Sequence, residues 1–192
     1  DSEYAEWCLG VCRKQGIGMW FSFVEDELVV LEKLREPMAE AGCFLVGTPP
    51  EIIATGMDKL AYASHLGKYG ISVPETLTLG QVLDEGGMKG EEFIVKMRSG
   101  RGSRGLFRVM GSEALLEAAR RSDDPSRWIA QVCVNGQIFC IDVINDLDRN
   151  FATCLIRKRL GMGMQETDVA ETISDLNIDA LARKLSAAIR HQ

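Results

Sequence analysis

The stretch Phe93-Ile94-Val95-Lys96-Met97-Arg98-Ser99-Gly100-Arg101-Gly102-Ser103-Arg104-Gly105 carries the fold. Residues 93–96 read as an apolar strand that ends on a lysine. A loop over 99–105 follows, with three glycines and two serines, and residues 106–110 read as a returning strand. From Lys96 to Arg108 there are five basic residues and no acidic one, although the whole chain of 192 residues has a net charge of −6. Glycine lets a backbone approach a ligand closely. Successive N–H groups of such a loop, helped by serine hydroxyls, can converge on one anion. The spacing therefore predicts a polyphosphate clamp, with Lys96 as a fixed point charge. It is not a GxxxxGK[ST] loop, because the lysine precedes the glycines, and it is not a dinucleotide fingerprint, because a strand rather than a helix follows. The alternative is a hairpin that carries solvated arginines.

Outward from this loop the pattern is strand-rich. Residues 112–121 read as a helix with Ser112 as its cap. Strands are expected over 128–134, 138–145 and 151–159, with Asn135-Gly136 as a hairpin turn between the first two. Residues 161–168 read as a mobile loop, in which Met162 and Met164 are packing residues. Ile178, Leu181, Ala182, Leu185 and Ile189 mark a last amphipathic helix.

Before the loop, short helices are expected over 51–55 and 79–85. A further one over 58–69 stops at Gly70 and carries His65 on its surface. Residues 70–74 are extended because Val73 precedes a proline. The first fifty residues have a different rhythm. Tyr4, Trp7, Cys8, Val11 and Cys12 share one helical face that Gly16 ends. A buried strand over 17–24, a helix over 26–40 and a strand over 42–46 follow, before Thr48-Pro49-Pro50 turns the chain. That α-β-α-β order predicts a parallel, doubly wound unit. Two strands cover such a sheet poorly, so further sequence is expected upstream.

Composition narrows the classes of function. The acidic balance argues against a polybasic nucleic-acid binder, whose affinity comes from phosphate neutralisation. An RNA-binding module built on 96–108 would want aromatic stacking platforms, and Phe107 is the only aromatic residue there. No apolar run approaches the ~18 residues of a membrane helix. The six cysteines include no CxxC and there are two histidines, so a zinc site of ordinary spacing is not expected. Buried, reduced thiols in a cytoplasmic protein are.

Met57-Asp58-Lys59, Ile71-Ser72-Val73-Pro74-Glu75-Thr76, Ile94-Val95-Lys96 with its loop, Ile129-Ala130-Gln131, Gly136 and Asp142, taken in this order, resemble the ATP-grasp superfamily. The likeness is to its carbamoyl-phosphate-synthase-like and amino-acid-ligase-like members, and it runs from about Leu45 to Gln192. It implies an α/β and α+β chain. Residues 1–50 would be the end of a Rossmann-like domain preceding the ATP-grasp fold, 51–128 the small lobe with the glycine-rich loop, and 129–192 part of the large lobe. The resemblance implies an ATP site between the lobes. Lys59 and Lys96 would reach the nucleotide, and Ser99, Gly100, Arg101, Gly102, Ser103 and Arg104 would fold over its phosphates. The backbone of Gln131, Val132, Cys133 and Val134 would meet the adenine edge, and Arg159 would stand near the transferred phosphoryl group. Asp142 is structural or substrate-facing.

Two departures from the family's pattern stand out. The family usually has a ribose-binding glutamate two residues after the glycine aligned with Gly136. Ile138 occupies that position and cannot accept a hydrogen bond. The family's magnesium ligands would lie beyond Gln192, so no residue of this chain is assigned to metal. The parent protein is expected to be a ligase that activates a carboxylate as an acylphosphate for attack by an amine or similar nucleophile, with ATP and Mg2+ as cofactors. The isolated chain is expected to be inactive. Its partners would be a nucleotide and a small carboxylate, with a homodimer compatible and no membrane. The second hypothesis is a non-catalytic, degenerate nucleotide-binding module within an assembly.

Overall fold

The computed structural model describes residues 2–100, 105–160 and 169–191. The chain opens with α1 (Ser2–Gln15), which Gly16 ends at φ 63°, a conformation glycine adopts without steric cost. The fully buried Cys8 and Cys12 of α1 share a core with Leu31, Met38, Cys43 and Leu45. Two short strands, β1 (Met19–Trp20) and β2 (Phe44–Leu45), pair in parallel, as the α-β-α-β order predicts. The expected buried strand over 17–24 is not formed beyond Trp20. Ser22 breaks it: its Oγ accepts the Val24 amide at 3.0 Å, a local turn that competes with the strand. Phe21 and Phe23 then stack edge-on against each other at 5.5 Å, and Phe23 is 91% exposed.

The helix expected over 26–40 is in three pieces: α2 (Glu25–Leu31), a 3-10 turn (Glu32–Leu34) and α3 (Arg35–Glu40). Pro37 explains the break. It has no N–H to donate and its ring excludes the carbonyl four residues back, so it is tolerated only in a first turn. Arg35 donates to Glu32 and to the Leu45 carbonyl at 2.8 Å, which ties the break to β2.

After Pro49 come α4 (Pro50–Gly56), α5 (Lys59–Lys68), β3 (Thr76–Thr78), α6 (Leu79–Asp84), β4 (Glu92–Met97), β5 (Phe107–Met110), α7 (Ser112–Arg120) and β6 (Trp128–Val132). The strands form one antiparallel sheet in the order β3-β6-β4-β5. Alternation sends Phe93, Val95, Val109 and Ala130 to one face, where α6 and α7 seal them with Leu79, Val82, Leu115 and Ala119. Ser112 does not cap α7. Gly111 holds the N-cap position at φ 80°, and Ser112 Oγ instead accepts the Met88 amide at 3.1 Å.

The rest of the chain is β7 (Phe139–Asn145), β8 (Phe151–Arg159), β9 (Ala170–Ile173) and α8 (Leu176–Ile189), with the three strands antiparallel in that order. The hairpin expected at Asn135-Gly136 is overturned. β6 pairs with β3 and β4, whereas β7 pairs with β8, so residues 133–138 cross from one sheet to the other. Each end of the crossing is held by a different sheet: Cys133 N donates to Glu92 O at 2.8 Å, and Arg159 N donates to Ile138 O at 2.9 Å. A turn dipeptide sets local backbone shape but not which strand is the partner. His65 is not simply a surface residue of its helix. Its Nε2 lies 2.8 Å from the Ala188 carbonyl and joins α5 to α8, beside the apolar contact of Leu66 and Ile71 with Ala188. All six cysteines are free thiols, but only Cys8, Cys12 and Cys43 are buried; Cys133, Cys140 and Cys154 are half-buried. The expected loop at 161–168 lies outside the described residues. Among the described residues no helix is long and apolar enough to cross a membrane.

Candidate functional site

The face of the four-stranded sheet opposite α6 and α7 is polar. Thr76, Gln131 and Ile94 stand side by side across β3, β6 and β4, and Lys96 follows two residues along β4 on the same face. Lys96 Nζ donates to Gln131 Oε1 at 2.9 Å. Gln131 Nε2 donates to Thr76 Oγ1 at 2.9 Å, and Thr76 Oγ1 donates to the Pro74 carbonyl at 2.9 Å. This relay fixes the lysine by a neutral acceptor. Burial, with the nearby Lys59 ammonium adding to it, pushes the Lys96 pKa below the usual lysine value.

Lys59 arrives from the other side, in the first turn of α5. Asp58 is the N-cap and accepts the amides of Leu60 and Ala61 at 3.0 and 3.2 Å. The Lys59 amide donates to Arg98 O at 3.0 Å, and its Nζ donates to Gly100 O at 2.8 Å. Arg98 Nε donates to both Asp58 carboxylate oxygens at 2.9 Å, and its Nη2 lies 2.6 Å from Oδ2. That guanidinium holds the Asp58 carboxyl below the usual carboxylate range. Asp58 and Ser99 also form an antiparallel bridge. Gly100, at φ 118°, begins the loop, and Gly105 ends it at φ 73° against Trp128. Arg101, Gly102, Ser103 and Arg104 lie outside the described residues.

Along the crossing, Val132 N donates to Glu75 O and Cys133 N to Glu92 O. Val134 is 69% exposed, and Ile138, at 44%, is an apolar side chain open to solvent. Arg159 sits where the crossing meets the second sheet, its carbonyl accepting from Gln137 Nε2 at 2.6 Å. Its Nε and that of Arg157 are buried without a hydrogen-bond partner. Asp142 pairs with Arg157 at 2.8 Å.

Lys59, Lys96, Ser99, Gly100 and the Gln131 side chain are thus brought together, and Ile138 and Arg159 meet each other at the far end of the crossing. Asp58, Arg98 and Thr76 were missed as site residues. Asp58 opens the helix expected over 58–69, but its pairing across forty residues has no local signal. Among the described residues no group of three His, Cys, Asp or Glu side chains is placed to hold a metal ion.

This chain shares the ATP-grasp fold with the solved structures it is similar to. Among solved structures it is similar to an L-amino acid ligase from Bacillus licheniformis, with a TM-score of 0.63 at 19% identity, covering 96% of this chain and 46% of that one. It is also similar to N5-carboxyaminoimidazole synthase from Aspergillus clavatus in complex with ADP and 5-aminoimidazole ribonucleotide, with a TM-score of 0.60 at 19% identity, covering 91% and 47%. The D-alanine-D-alanine ligase from Coxiella burnetii matches with a TM-score of 0.54 at 18% identity, covering 88% and 50%. The chain spans about half the length of these ligases. No protein-family model and no curated protein sequence matches it.

Proposed function

We propose that this chain is the ATP-binding portion of an ATP-grasp ligase that activates a carboxylate as an acylphosphate for attack by an amine or similar nucleophile. The observation that carries this is that Lys96, on the open face of β4, and Lys59, bonded through its amide to Arg98 O and through its Nζ to Gly100 O, both stand at the root of the glycine loop. Two ammonium groups at the root of one loop, neither paired with a carboxylate among the described residues, fit a polyphosphate. The neighbouring solved synthase was crystallised with ADP, which supports a nucleotide as the ligand.

Within that site Lys59 and Lys96 neutralise phosphate oxygens, beside Ser99 and Gly100 at the root of the loop. The amides of Val132 and Cys133 are already engaged by the sheet, which leaves Val134 N–H for the adenine edge. Arg159, with its buried and unpartnered Nε, stabilises charge at the transferred group. Catalysis would be positioning and charge neutralisation. Among the described residues no side chains are placed to hold magnesium. The proposed units are 1–50, the small lobe and the large lobe, with the lobe boundary in the crossing 133–138 rather than at 128, since β6 pairs with β3 and β4.

The second reading, a non-catalytic nucleotide-binding module, is favoured by Ile138. It stands exposed where a carboxylate would accept ribose hydroxyls, and losing one such charge-assisted bond costs about 1.5–3 kcal/mol. Isothermal titration with ATP and Mg2+ tests both readings. Lys96→Ala should weaken binding and Ile138→Glu strengthen it, and indifference to both substitutions rules out this cleft. Magnesium-dependent turnover by the chain itself decides for the ligase over the binding module.

A further inference from the structure

Two like charges do not stay together unaided. Lys59 and Lys96 come from different elements, and the relay through Gln131 restrains only Lys96. On the same face, Glu92 and Arg108 satisfy each other at 2.7 Å and offer the lysines no counter-charge. What restrains Lys59 is the junction beneath it. Arg98 is anchored by its own amide to Arg127 O at 2.8 Å, and its carbonyl receives the Lys59 amide. Its guanidinium spans both oxygens of Asp58, whose carboxylate in turn caps α5. Side chain and backbone thus tie the same two segments together twice.

We propose that the Asp58–Arg98 pair is a positioning device that fixes Lys59 at the end of β4, two residues beyond Lys96, and roots the glycine loop at Ser99 and Gly100. The pair does not itself touch the ligand, since Asp58 already engages the Arg98 guanidinium on both oxygens. Among the described residues Lys59 Nζ donates to Gly100 O, an exchangeable acceptor that stands in for an anion oxygen. On binding, Lys59 leaves that carbonyl for the ligand while Asp58–Arg98 persists, so the repulsion between the lysines is relieved by a polyanion rather than by their separation. This deepens the nucleotide reading and rests on it for the identity of the ligand.

The test uses the full chain with 13Cε-labelled lysine, following the Lys96 titration by NMR and tripolyphosphate or ATP binding by calorimetry. Asp58→Asn keeps a good N-cap while removing the charge; Arg98→Met removes the partner. Both should return the Lys96 titration toward that of ordinary lysine, as Lys59→Met does, and weaken tripolyphosphate binding about tenfold, which is ~1.4 kcal/mol. Arg98→Lys should restore part of each effect, and the double variant should be no worse than the single ones. A Lys96 titration and an affinity that stay as in the wild type in folded Asp58→Asn and Arg98→Met proteins would overturn the proposal. A wild type that binds neither ATP nor tripolyphosphate, yet shows the Lys96 shift on substitution, upholds the junction and removes the nucleotide reading instead.

Discussion

Phe93 and Leu155 are both large apolar residues in the middle of strands, yet Phe93 is fully buried and Leu155 is 42% exposed. The difference lies in how the two sheets are sealed. The four-stranded sheet has α6 and α7 closing one face over Phe93, Val95 and Ala130. The three-stranded sheet has α8 on one face, attached in part by polar groups: Ser186 Oγ donates to Asn145 Oδ1 at 2.7 Å, and Asn145 Nδ2 donates to His191 O at 2.9 Å. Its other face carries Asp142, Leu155 and Arg157. A sheet closed by apolar packing is rigid and can present a lysine in a fixed place. A sheet closed by a few directional bonds is specified rather than tightly packed, and its open face remains available.

The largest expected effect separates the two sheets directly. Phe93→Ala should destabilise the protein by about 3–5 kcal/mol, while Leu155→Ala should stay within about 0.5 kcal/mol, read as shifts in urea midpoint. Equal losses would mean the open face is covered in solution. Next, Ser186→Ala leaves the buried Asn145 oxygen short of its donor and should cost about 1–3 kcal/mol; a silent substitution would show that apolar contacts alone hold α8.

A smaller effect is expected at Asp58, and it depends on pH. Its folded pKa is depressed, so its contribution is present at neutral pH and is lost as pH falls through that depressed value. Asp58→Asn should cost about 0.5–1 kcal/mol at pH 7. The gap to wild type should close below about pH 4, where even free carboxylates protonate. A gap independent of pH, followed by thermal unfolding across pH 3 to 7, would assign the loss to capping. The smallest effect should be Lys96→Met. It removes a partly buried charge with only a neutral acceptor, and should leave the denaturation midpoint within about 0.5 kcal/mol while weakening polyphosphate binding. A large loss of stability would make Lys96 structural.

Much of the four-stranded sheet was legible in the sequence because its signals are local: apolar alternation in β4, the glycines after it, and a returning strand. β3 and β9 were missed because three or four residues, such as Thr76–Thr78, give too little alternation to recognise. Asn135-Gly136 misled because partner choice is decided by Glu92 and Ile138, which lie far from it in the sequence or belong to another strand's ladder. At the site, the lysines were legible as residue types at strand and helix ends. The neutral relay through Gln131 and the clamp of Arg98 on Asp58 were not, because each depends on register between distant segments.

Helix α5 touches both halves of this arrangement, and that limits how its length can change. Lys59 meets Gly100 at one end, and His65, six residues on, meets Ala188. At about 1.5 Å per residue those attachments are ~9 Å apart along the axis, on faces set by the ~100° turn per residue. One inserted or deleted residue between positions 59 and 65 would swing one attachment about a quarter of a turn away from its partner. Drift in chain length is therefore barred from the middle of α5. It is better placed in surface turns such as 146–150, where Asp146 accepts the amides of Asp148 and Asn150 locally.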